Sequence, residues 1–135
     1  MIYLEEIMPR LRRVPWPSYG VKWVVLFGSL RARRGDDIDL LIYGVKGSKE
    51  KLVLVLRVSE DLGISPDEVD MVPADDSTPC PVILDAWRYG KIVYARDPGE
   101  PREWLLRKTM ICYDYSIMSK KLEIVRTATR AARKR

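Results

Sequence analysis

The 135 residues fit a single domain, long enough to bury a core without disulfides or a structural metal. Histidine is missing, which excludes the commonest zinc ligand, a Ser-His-Asp arrangement and the usual general base near neutral pH; catalysis would rest on carboxylates, metal ions and arginine. The net charge of +5 sits at the C-terminus: Lys120 to Arg135 hold seven basic residues and one acidic, while residues 1–119 hold 17 basic and 18 acidic, so the globular part is no nucleic-acid-sized positive surface.

The N-terminus, MIYLEEIMPRL, has acidic residues where a signal peptide is basic, and no apolar run is long enough to span a bilayer. A cytoplasmic protein is expected. Asparagine and glutamine are also missing beside abundant Arg, Lys and Glu, a thermophile pattern. Leu4 to Arg13 reads as a short amphipathic helix limited by Pro9, and VPWPSYG as a loop. Val21 to Phe27 reads as a buried strand that stops at Gly28. After an arginine-rich loop, a second strand through Tyr43 opens with Asp37 and Asp39; it is apolar on both faces beyond Asp39 and should be central.

Ser48 is suited to cap a helix from Lys49 to about Leu62, closed by Gly63, with Leu52, Val53, Leu56 and Leu62 covering the sheet. LVLVLRV is strand-like by propensity, and only its polar flanks favour helix. Glu68 to Val72 is a third strand, Val82 to Tyr89 a short helix and Lys91 to Ala95 a fourth strand. Cys80 and Cys112 lie far apart in sequence without companion ligands, which suggests ordinary buried thiols in a reducing compartment. From Pro101 a long helix begins, on which Ile111, Tyr115, Met118, Leu122, Val125, Thr129 and Ala132 form a heptad-like seam. Through Ala132 it would span roughly 48 Å, against roughly 33 Å for a domain of about 100 residues. The expected organisation is a core over residues 1–100 and a long helix with a basic tail over 101–135, whose seam offers a homodimer or a heteromeric helical interface.

Aspartates at i and i+2 of a strand point to one side, about 7 Å apart, close enough to converge on cations with Mg²⁺-like preference for hard oxygens. Asp70 in EVDMV is a third carboxylate in an apolar strand, a costly place unless a shared metal compensates it. Each aspartate alone is more simply a surface residue; three of them with a Gly-Ser turn are not. Gly28 lets the backbone approach a phosphate, and Ser29 and neighbouring amides can donate to it. Arg31, Arg33 and Arg34 could pair with phosphates or stand solvated.

FGSLRARRGDDIDLLI followed by VDMV resembles the signature of the DNA polymerase beta-like nucleotidyltransferases, and more closely that of the minimal nucleotidyltransferases (MNT). RYGKIVYARDP followed by an aromatic-rich helix with YDY extends the resemblance to roughly residues 20–119. It implies an α/β (α+β) fold, a small mixed sheet flanked by helices. It also implies two Mg²⁺ ions, or Mn²⁺, held by Asp37, Asp39 and Asp70, with Asp70 helping to activate the acceptor, and ATP or another nucleoside triphosphate held at Gly28 and Ser29; Arg31 and Arg33, in a loop that departs from the family pattern, are further candidates to pair with its phosphates. The implied activity is transfer of AMP to a hydroxyl, such as a tyrosine of a HEPN-type helical toxin partner; the alternative is an idle antitoxin scaffold. Seven residues separate Ser29 from Asp37, fewer than most relatives use.

Overall fold

Ile38, Leu40, Leu41 and Ile42 are at most 2% exposed, a burial that requires strands on both edges and cover on both faces. The computed structural model describes residues 1–28 and 34–114 and shows how this is achieved. In chain order come β1 (Ile2–Tyr3), α1 (Leu4–Arg13), a 3-10 turn (Trp16–Tyr19), β2 (Trp23–Phe27), β3 (Arg34–Gly35) and β4 (Ile38–Tyr43). Then follow α2 (Ser48–Leu62), a second 3-10 turn (Pro66–Glu68), β5 (Val69–Pro73), α3 (Cys80–Tyr89), β6 (Lys91–Ala95) and α4, described over 99–114. The heptad seam from Tyr115 onward and the basic tail lie outside the described residues.

The four-stranded sheet has the order β5-β4-β2-β6, with β4 parallel to β5 and antiparallel to β2, and β2 antiparallel to β6. β1 and β3 form a separate antiparallel pair that the sequence pattern did not reveal. Alternation along each strand sends one set of side chains to each face. Val24, Leu26, Ile38, Leu40 and Ile42 meet Leu4, Ile7, Met8 and Leu11 of α1 and Leu54, Val58 and Leu62 of α2. On the other face, Trp23, Val25, Phe27 and Leu41 meet Ile83 and Ala86 of α3 and Trp104 and Leu105 of α4. Trp23 stacks on Tyr43 with ring centroids 5.5 Å apart, and Trp104 leans on Trp23 at the same distance. The result is a three-layer α+β fold.

Two expectations change. The buried stripe of α2 is Leu54, Val58 and Leu62, recurring at i and i+4; Leu52 (58% exposed), Val53 and Leu56 face outward. Consecutive apolar residues leave the helix phase ambiguous, and the sheet selects the stripe in line with Leu62. Cys80 and Cys112 are not free thiols but form a disulfide, with Cα atoms 5.8 Å apart. It ties the first residue of α3 to α4, because both helices pack on one face of the sheet. The Lys108 ammonium reinforces this link from α4, 2.6 Å from Asp76 in the loop before α3. Element ends shift by one or two residues; α2 starts at Ser48 with Gly47 as its cap, and Gly63 (φ 68°) closes it. Among the described residues, no helix is long and apolar enough to cross a membrane.

Candidate functional site

The carboxylates gather where β4 enters the sheet. In the antiparallel pairing Asp39 stands opposite Phe27, and in the parallel pairing it stands opposite Asp70, so β4 brings both neighbours to it. Adjacent strands lie about 5 Å apart, so Asp39 and Asp70 are immediate cross-strand neighbours. Asp39 shares a face with Leu41, the face covered by α3 and α4. Asp37 precedes the strand by one residue and is exposed.

Burial is distributed differently from the expectation. Asp70 lies on the edge strand and is exposed, so the cost of burying a charge does not fall on it. The cost falls on Asp39, which is half-buried. Loss of water pushes its carboxyl from 3.8 up to about 6, and the neighbouring charges of Asp70, Asp37 and Asp85 add to the rise. Among the described residues no three acidic, histidine or cysteine side chains are drawn together tightly enough to cage a metal ion unaided.

Gly28 ends β2 against this cluster. Its φ of 79° lies in the left-handed region that glycine adopts without strain, and a Cβ there would collide with the Asp39 carboxylate. Its N–H donates to Asp85 Oδ2 at 2.7 Å. Asp85 is a fourth carboxylate that the sequence reading passed over; the available signal was a lone charge in the otherwise apolar VILDAW, one residue before buried Ala86. Of the residues singled out, the structure brings together Gly28, Asp39 and Asp70, with Asp37 beside them. Ser29, Arg31 and Arg33 lie outside the described residues, as does the side chain of Arg34.

The described residues thus form a mixed sheet covered on both faces, with aspartates on two adjacent strands and a glycine turn against them. No protein-family model and no curated protein matches the sequence. Among solved structures, the chain shares the minimal nucleotidyltransferase fold of toxin–antitoxin complexes. One is the pair MntA–HpeT carrying two aspartate-to-glutamate changes two residues apart (TM-score 0.60, 18% identity, 89% of this chain and 93% of that chain covered). Another is a tri-AMPylated HEPN toxin in complex with MNT antitoxin from Shewanella oneidensis (TM-score 0.57, 20% identity, 89% and 91% covered). A third is a toxin–antitoxin with AMP-PNP (TM-score 0.59, 20% identity, 89% and 94% covered).

Proposed function

We propose that this chain is a metal-dependent nucleotidyltransferase that moves AMP from ATP to a hydroxyl, with a tyrosine of a HEPN-type helical toxin as acceptor. The observation that carries the reading is half-buried Asp39, in register with Asp70, two residues beyond Asp37 and packed against the Gly28 turn. An all-carboxylate donor set suits a hard divalent cation such as Mg²⁺ or Mn²⁺, and a carboxyl whose ionised form is disfavoured by burial and like charge gains most from one. Asp37, Asp39 and Asp70 are the residues to hold it. Bound there, the cation neutralises triphosphate oxygens and lowers the pKa of an acceptor hydroxyl.

The chain's own residues bind, orient and take a proton. In this reading Asp70, exposed at the sheet edge, accepts the acceptor's proton on a carboxylate oxygen; the hydroxyl oxygen then attacks the α-phosphorus and pyrophosphate leaves. Gly28 keeps the floor of the site free of a side chain, and Ser29, Arg31 and Arg33 are assigned to the triphosphate. The similar structures support this reading through a bound AMP-PNP, an AMPylated toxin, and altered aspartates with the spacing of Asp37 and Asp39. Mass spectrometry of a co-expressed small helical partner, after incubation with ATP and Mg²⁺, should show AMP increments on tyrosine. Labelling that persists at the wild-type rate in Asp39→Asn would end the assignment.

A catalytically idle scaffold is the second reading. It is favoured by the lack, among the described residues, of a group of three side chains ready to hold a metal ion, and by Leu106, Met110 and Tyr113, an exposed i, i+4, i+7 stripe on α4 suited to a helical partner. Ile111, where the heptad seam begins, is also exposed at 55%. Calorimetry with ATP and Mg²⁺ separates the two readings: heat of binding supports the transferase, and its absence supports the scaffold.

A further inference from the structure

The turn that ends β2 is governed by a residue 57 positions away in sequence. The Gly28 N–H donates to Asp85 Oδ2 at 2.7 Å, at the short end of the range for such bonds. Gly28 also lies against the Asp39 carboxylate, close enough to exclude any Cβ. The glycine therefore meets two carboxylates: Asp39, which stands in register with Asp70, and Asp85, whose charge also bears on Asp39 and which accepts from the Gly28 backbone amide.

Asp85 is itself rigidly placed. Its helix α3 buries Ile83 and Ala86 in the layer formed by Val25, Phe27 and Leu41, and the disulfide fastens the helix start to α4. A carboxylate delivered from a fixed helix to the end of a fixed strand sets the orientation of the Gly28 peptide. It also occupies that amide, which is then not offered to a phosphate.

We propose that Asp85 is a positioning residue for nucleotide binding: as a hydrogen-bond acceptor, it locks the Gly28 peptide in the orientation that lets a triphosphate approach Asp39. This rests on the nucleotidyltransferase reading above. Asp85 touches neither nucleotide nor acceptor, and its requirement is for an acceptor oxygen rather than a negative charge. A direct cation ligand would require the charge.

The test compares wild type, Asp85→Ala and Asp85→Asn as full chains by calorimetry with ATP and Mg²⁺, alongside ¹H–¹⁵N spectra of the ligand-free proteins. Asp85→Asn retains an oxygen that can accept from Gly28 and should bind within about 3-fold of wild type, while Asp85→Ala should weaken binding about 10-fold or more. The Gly28 amide proton should move upfield in Asp85→Ala and stay near its wild-type position in Asp85→Asn. Wild-type affinity in Asp85→Ala overturns the proposal, and so does equal weakening in both variants, which would assign Asp85 a charge role. If wild type itself binds no ATP, the function proposed above fails and the nucleotide role of Asp85 fails with it; the Gly28 shift then still reports whether the bond to Asp85 exists.

Discussion

Replacing Asp39 by asparagine should make the ligand-free protein more stable, because a carboxyl raised from 3.8 to about 6 is one the fold prefers protonated. The folded state binds this proton more tightly than the unfolded chain, so the Asp39 contribution is fully favourable below about pH 4 and is lost as pH rises through about 6. Above that, the ionised group opposes folding. The full shift corresponds to about 3 kcal/mol, and because the side chain is only half-buried, solvent screening brings this to about 1–2 kcal/mol. Asparagine has the same shape and removes the charge. Urea or thermal unfolding in the presence of a chelator should therefore find Asp39→Asn more stable than wild type by about 1–2 kcal/mol at pH 8, roughly 4–8 °C in melting temperature, with the difference closing towards pH 4. Adding Mg²⁺ should raise the melting temperature of wild type and leave the variant unmoved. If the variant is no more stable at pH 8, or its advantage is the same at pH 4, then Asp39 is not held against its charge and has no special need of a cation.

Other perturbations probe the scaffold around the site. Reducing the disulfide, whose cysteines lie 32 positions apart, should lower stability by about 3–4 kcal/mol from loop-closure entropy, seen as a drop of roughly 10–15 °C on melting with a reductant; an unchanged melting temperature would count against the tether. Gly28→Ala places a side chain in the left-handed region and against Asp39. It should cost about 1–2 kcal/mol and remove ATP binding, read by melting and calorimetry on one sample. On α2, Leu54→Ala should destabilise by about 2–5 kcal/mol, while Leu52→Lys should stay within about 0.5 kcal/mol. Chemical denaturation of the pair tests which face of the helix is buried, and the reverse order would mean that the packing described for α2 is wrong.

Local pattern determined much of this protein. A strand apolar on both faces had to be central, and β4 is, because only neighbours on both edges can satisfy its backbone while both sides stay dry. The mixed sheet flanked by helices was implied by the family resemblance rather than by local pattern, whereas Asp37 and Asp39 at the strand entrance were legible directly, since side-chain alternation follows from backbone geometry alone. Tertiary structure decided whatever depended on distant segments meeting. The phase of α2 was ambiguous because Leu52, Val53, Leu54, Val55 and Leu56 are all apolar, and the facing sheet chose Leu54 and Val58. Cys80 met Cys112 only because α3 and α4 settle side by side. Which aspartate is buried followed from strand order, with β5 at the edge freeing Asp70 and β4 at the centre enclosing Asp39. Asp85 became part of the site when α3 folded across the end of β2, a contact between residues 57 apart that no local periodicity encodes.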